Sequence, residues 1–216
     1  MTNFQKRFLS SIILLPLALY FIAHGSFMLM FLTTICFVVA CYEWQMMTKK
    51  KSYKIYGFIF LIFSFYTIYK LRINPGNDYW LFLFITIICV STDIGGYVFG
   101  KIFKGPKLTK ISPNKTYAGV LGGYLFSTTS SIFLLNNKNL NTQIEINLDI
   151  FLFVFLISTI SQAGDILISY FKRLSKIKDT GKIIPGHGGL LDRVDGMIFA
   201  FPFAYIIILT NIFDLL

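Results

Sequence analysis

Apolar residues along this 216-residue chain gather into seven long runs, at 8–24, 27–47, 56–69, 79–99, 118–135, 150–170 and 197–216. Most approach the roughly 20 residues that a helix needs to cross a ~30 Å hydrocarbon core. The runs lack period-two alternation, and a barrel would need polar inward positions, so the pattern speaks against strands. It predicts an all-α fold, a polytopic membrane helical bundle of about seven transmembrane helices, with seven to nine allowed. The third run is the shortest and weakest, and a re-entrant hairpin is the alternative there. Pro16 and Pro202 fall inside the first and last runs, where a membrane helix tolerates a kink. The first run follows Lys6 and Arg7 and has the outline of a signal peptide, but six further spans favour a retained helix.

Composition strengthens this picture. Hydrophobic residues make up 55% of the chain and charged residues 14%, too few charges for the polar surface of a soluble domain this long. The net charge of +10 would suggest nucleic acid in a soluble protein. Here the basic residues lie between apolar runs, which points instead to anionic lipid head groups or phosphate-bearing substrates. Assigning loops alternately to the two sides leaves only Lys70, Arg72 and Lys138, of 20 basic residues, on one side. The positive-inside rule then puts the N-terminus in the cytoplasm and, with seven spans, the C-terminus outside. The stretches 74–77 and 136–141 read as solvated outer loops. Cys36, Cys41 and Cys89 lie inside apolar runs without metal-ligand spacing, so reduced thiols are expected.

The acids are few, 10 in all, and their places matter. Glu43, Asp78, Glu145, Asp149 and Asp214 lie at or near helix ends or in loops. Asp93, Asp165, Asp179, Asp192 and Asp195 fall elsewhere, and the topology brings them towards the cytoplasmic leaflet. A carboxylate within a span costs about 2.5–3.5 kcal/mol on insertion scales, so it faces a cavity or a partner. An ion pair with a nearby Lys explains any one Asp as well as a site does; three together explain less easily. A seventh helix beginning near Leu190 would place Asp192 and Asp195 as i,i+3 neighbours on one face. Clustered carboxylates need a cation, and oxygen-only ligation favours Mg²⁺ or a similar hard ion over zinc.

Two basic, glycine-bearing stretches accompany the acids. In Pro185-Gly186-His187-Gly188-Gly189 the glycines let successive N–H groups turn toward one anion, a phosphate nest, with His187 either a turn residue or a substrate contact. In Ser112-Pro113-Asn114-Lys115-Thr116 hydroxyl and ammonium donors stand at a helix start suited to phosphate, while Gly119, Gly122 and Gly123 serve close helix packing. Phosphate-binding bases, a hard-metal acid cluster and a membrane setting together suggest phosphoryl or nucleotidyl transfer to a lipid. No Walker A sequence supports a P-loop ATPase. An ion path would spread its acids through the membrane depth rather than crowd one leaflet.

The segment 169–195 carries Ser169, Lys172-Arg173, Lys178-Asp179, Gly181, Pro185 to Gly189, Asp192-Arg193 and Asp195. It resembles the signature of the phosphatidate cytidylyltransferases, also called CDP-diacylglycerol synthases. Glu43-Trp44, Thr92 to Gly95, Ile111 to Thr116 and Gly164-Asp165 look like further motifs of that family. The chain departs from it at Asn114, Tyr117 and Ala118, and is shorter than many members, which are described with eight or nine spans. The resemblance implies the reaction of CTP with phosphatidic acid to give CDP-diacylglycerol and pyrophosphate. It implies a catalytic group of Asp165, Asp192, Asp195, Lys172 and Arg173, with the three acids holding Mg²⁺ or Mn²⁺ and K⁺ as a companion ion. Substrate binding would fall to Asp93, Ser112, Lys115, Thr116, Lys178, Asp179, His187, Gly188, Gly189 and Arg193. The expected organisation is one integral membrane domain over 1–216, with spans in 1–77 as scaffold. A catalytic part over 78–216 would carry the cytoplasmic loops 100–117 and 171–196. The expected partners are CTP, phosphatidic acid and the bilayer, with no nucleic acid and a homodimer allowed for. The expected location is the inner (plasma) membrane, multi-pass, with N-terminus and active site cytoplasmic. A polyprenol-type kinase or an archaeol-type cytidylyltransferase is the nearest rival.

Overall fold

A computed structural model describes residues 20–21, 26–49, 51–73, 80–136, 146–184, 186 and 188–213. Those residues form helices α1 (Ser26–Met47), α2 (Lys54–Ile73), α3 (Trp80–Phe103), α4 (Tyr117–Leu135), α5 (Leu148–Leu174), α6 (Leu191–Val194) and α7 (Met197–Thr210). Five of them, α1 to α5, are long and apolar enough to cross a membrane, and α7 is a shorter apolar helix. The protein is an all-helical, multi-pass membrane bundle. The first apolar run, the loops 74–77 and 137–141, and Asp78, Glu145 and Asp214 lie mostly or wholly outside the described residues.

The weak third run is one continuous helix of 20 residues, not a hairpin. Its polar interruptions are satisfied within the helix, as where Thr67 Oγ1 donates to the Ser64 carbonyl at 2.7 Å. α3 runs past the expected end at 99 to Phe103, and the exposed Lys101 in its last turn lies 5.6 Å over the Tyr97 ring. α7 ends earlier than its apolar run, because Asn211 adopts a left-handed φ of 48° and takes the chain out of the helix. The expected start near Leu190 is met by α6, which begins at Leu191, but the helix is not continuous with α7. α6 is a single turn, the chain breaks at Asp195 and Gly196, and Asp192 and Asp195 do not share a continuous helix face. Gly196 is packed closely here, for a methyl group on it would strike the Ser161 hydroxyl.

The chain divides into two compact units, 1–73 with 171–194, and 74–170 with 195–216. In the first, α1 and α2 meet where a side chain at Gly57 would run into the Trp44 indole. Trp44 Nε1 donates to the Lys54 carbonyl at 3.0 Å, and its ring makes edge contacts with Tyr53 and Phe171. In the second unit glycines allow α3 and α4 to touch. A methyl at Gly95 would meet the Gly122 carbonyl, one at Gly122 the Phe99 side chain, and one at Gly119 the Gly96 oxygen at 2.8 Å. The packing role predicted for Gly119 and Gly122 is what the structure shows, and Gly123 lies against Thr92. Thr92 Oγ1 donates to Ser158 Oγ at 2.9 Å, tying α3 to α5, and Phe82 stacks on Phe201 of α7.

Candidate functional site

In the first unit the loop between the end of α5 and α6 is built around two carboxylates. Asp192 Oδ1 accepts from Lys172 Nζ at 2.8 Å, and Oδ2 accepts from the backbone N–H of Thr180 (2.8 Å) and Gly189 (3.0 Å). The Asp192 side chain is 7% exposed and that of Lys172 11%. Burial alone would raise the Asp192 carboxyl. The bond from Lys172, the two backbone N–H donors and the lysine charge outweigh it and hold the carboxyl below the usual range.

Glu43, from the last turns of α1, is the second carboxylate and is 1% exposed. Its Oε1 accepts from Leu190 N–H at 3.0 Å; Oε2 accepts from Leu191 N–H at 2.8 Å and from the Thr180 hydroxyl at 3.0 Å. Thr180 therefore donates its N–H to one acid and its hydroxyl to the other. Glu43 belongs to the Glu43-Trp44 pair that resembles a family motif, and no site role was expected of it. One signal was available: an acid near the C-terminus of an apolar helix opposes the helix dipole and lacks a basic neighbour, so it needs donors from elsewhere.

Gly186 and Gly188 both have positive φ, 78° and 90°, and Ile184 pairs with Gly188 through a backbone bond of 3.0 Å. Both glycines take the left-handed backbone that favours glycine, and the next N–H, that of Gly189, is the one held by Asp192. His187 and Pro185 lie outside the described residues. Asp179 lines Gly188 beside Asp192, and Arg173, Lys178 and Arg193 are exposed on this unit.

In the second unit Lys115 Nζ pairs with Asp165 Oδ2 at 2.5 Å and donates to the Gln162 carbonyl at 3.3 Å. Asp165 and Lys115 are 30% and 23% exposed, and the Ser169 hydroxyl reaches Asp165 Oδ1 only at 3.4 Å. A tight turn presents Lys115: its N–H donates to the Ser112 carbonyl, its carbonyl accepts from Leu108, and Ser112 N–H donates to Thr109 Oγ1. Thr116 caps α4, its hydroxyl accepting from Gly119 N–H at 3.1 Å, so this hydroxyl is already engaged. Asp195 is buried, and its carbonyl lies against Gly164, the residue before Asp165. This unit thus brings the Asp195 backbone to the α5 turn that bears Asp165. Asp93 is exposed on α3.

Two of the three acids predicted to need a cation have a lysine, Asp165 with Lys115 and Asp192 with Lys172, while Asp195 Oδ1 accepts from the Gly196 N–H at 3.0 Å. Among the described residues no three His, Cys, Asp or Glu side chains form a ready metal cage. The donor chemistry nevertheless fits a hard cation, since every candidate ligand is a carboxylate or carbonyl oxygen.

The sequence profile of the Cytidylyltransferase family matches residues 53–211. A phosphatidate cytidylyltransferase of Rickettsia bellii is 34% identical over 214 residues, covering 95% of this chain and 91% of its own. That of Rickettsia felis is 33% identical over 210 residues, with 95% and 92% covered. That of Brucella melitensis is 33% identical over 179 residues, with 81% and 65% covered.

Proposed function

We propose that this chain, which belongs to the cytidylyltransferase family, transfers the cytidylyl group of CTP to phosphatidic acid, giving CDP-diacylglycerol and pyrophosphate. It is a nucleotidyltransferase of phospholipid biosynthesis. The observation that carries this reading is near full-length similarity to phosphatidate cytidylyltransferases in a chain whose signature loop is ordered by buried carboxylates.

In the reaction an oxygen of the lipid phosphate attacks the α-phosphorus of CTP in line. The new P–O bond forms as the α–β bridging bond breaks, and pyrophosphate leaves with the electron pair. A phosphate monoester is already ionised at neutral pH, so no general base is needed. Catalysis is then positioning plus charge stabilisation. Lys172, Arg173, Lys178 and Arg193 neutralise the triphosphate and the lipid phosphate. Gly188 and Gly189, with His187, form the glycine turn that meets a phosphate, its Gly189 N–H held by Asp192, and Ser112 and Lys115 steady a phosphate at the other basic turn. Asp165, Asp192 and Asp195 are the proposed ligands of Mg²⁺ or Mn²⁺, with K⁺ as companion, in competition with Lys115 and Lys172. A bound divalent cation would supply Lewis-acid stabilisation of phosphoryl charge. The N-terminus and site face the cytoplasm, following the positive-inside pattern.

The test is incubation of the purified protein with phosphatidic acid vesicles, a divalent cation and labelled CTP. Label from the α-phosphate enters lipid if the reading is right. Label from the γ-phosphate entering lipid would make the protein a kinase and overturn it.

A further inference from the structure

The first unit contains a carboxylate for which the proposed chemistry has no use. Glu43 sits on a membrane helix, is buried, and accepts three hydrogen bonds from residues 137 to 148 positions away in the chain. The loop is shaped around it. A methyl at Gly181 would lie 2.5 Å from Glu43 Oε1, and one at Gly189 would strike Thr180 Oγ1 and lie 2.5 Å from Glu43 Oε2. Both glycines are thus needed to let the backbone close over the carboxylate. Asp192 binds the same strip of backbone through Thr180 and Gly189.

We infer that Glu43 is a positioning residue for nucleotide binding, fixing Thr180 and the 189–191 backbone so that the glycine turn meets the triphosphate. The inference rests on the reading of this loop as the CTP-phosphate site. The physical argument is one of acceptor capacity. An ionised carboxylate accepts at both oxygens, whereas a carboxamide offers one oxygen and turns an NH₂ toward donors. Glu43→Gln therefore keeps the volume of the side chain but cannot satisfy Leu190, Leu191 and Thr180 together. The N–H groups of Thr180 and of 189–191 are taken by the two carboxylates, so what these bonds fix is the path of the chain that carries the glycine turn, and a loosened chain loses phosphate affinity before it loses its lysines.

The experiment compares the full-length wild type with Glu43→Gln and Thr180→Val in lipid nanodiscs, by steady-state kinetics and by amide hydrogen exchange. For Glu43→Gln the KM for CTP is expected to rise about tenfold, with the KM for phosphatidic acid and kcat within about threefold. Thr180→Val, which removes one of three donors, is expected to raise the KM for CTP about two- to threefold. Exchange in 180–191 is expected to quicken in Glu43→Gln while α2 keeps its wild-type protection. An unchanged KM for CTP with unchanged exchange in 180–191 would overturn the proposal, as would a fall in kcat with quickened exchange in both 180–191 and α2, the mark of general misfolding. If wild type transfers no cytidylyl group, the functional reading fails by itself. The exchange data still decide whether Glu43 orders the loop.

Discussion

Asp192 and Glu43 of the first unit are held in the opposite way from Asp165 of the second. In the first, Asp192 and Glu43 are nearly sealed from solvent, and together they accept six hydrogen bonds, four from backbone N–H groups. In the second, Asp165 is 30% exposed, held by one lysine and a long hydroxyl contact. A carboxylate surrounded by backbone donors orders the chain that supplies them, and it gives them up only if the chain moves. A carboxylate held by a flexible lysine can change partner at small cost, because a partly exposed pair contributes at most about 1 kcal/mol. Asp192 and Glu43 accordingly hold a loop in shape, whereas Asp165 stays reachable.

The largest expected effect that sharpens this contrast is on turnover. Asp165→Asn is expected to lower kcat by about 10³-fold, a loss typical of removing a charge that acts on the reacting phosphates, while thermal stability in nanodiscs stays near wild type. Survival of full activity would remove Asp165 from the chemistry.

Next comes a difference in stability. Lys172→Met leaves Asp192 buried without its counter-charge and is expected to cost about 3 kcal/mol, the low end for a broken buried pair because two N–H donors remain. Lys115→Met, at the exposed pair, is expected to cost about 1 kcal/mol or less. Denaturation midpoints for the two variants read this directly, and equal losses would break the comparison.

Acid titration gives a smaller effect of fixed sign. The folded-state pKa of Asp192 is depressed, so its contribution is fully present above the ordinary value of 3.8 and is lost as pH falls through the lower folded value. Hydrogen exchange in 178–191 is expected to stay protected from neutral pH down to about 4 after correction for intrinsic rates. Loss of protection between pH 7 and 5 would contradict the assignment. A small effect, of the size expected at Lys115, is expected for Thr116→Val, which removes the α4 cap and is expected to cost about 1 kcal/mol by thermal unfolding.

Much of the architecture was legible because membrane helices must satisfy their own backbone and therefore announce themselves as apolar runs. The runs at 27–47 and 118–135 match α1 and α4 within a residue. The end of α7 was missed because Ile212 and Phe213 prolong the apolar pattern beyond Asn211, whose left-handed backbone decides the boundary. The close packing of Gly196 on Ser161, a residue 35 positions earlier, was not legible because no local pattern encodes it. At the site, Lys172, Asp192 and the glycines were legible from charge and composition. Thr116 was legible as a polar residue at a helix start, and the structure gives its hydroxyl the work of a cap. Glu43 was invisible as a loop anchor because two of its three donors are main-chain N–H groups of Leu190 and Leu191, and any residue but proline carries one.

The central claim, that one acid orders a loop while another stays available to the reaction, is tested most directly by hydrogen exchange on Asp192→Asn and Asp165→Asn, each assayed for CDP-lipid formation on the same preparation. The account predicts that both lose activity and that only Asp192→Asn quickens exchange in 178–191. Quickened exchange in both variants, or in neither, would contradict it.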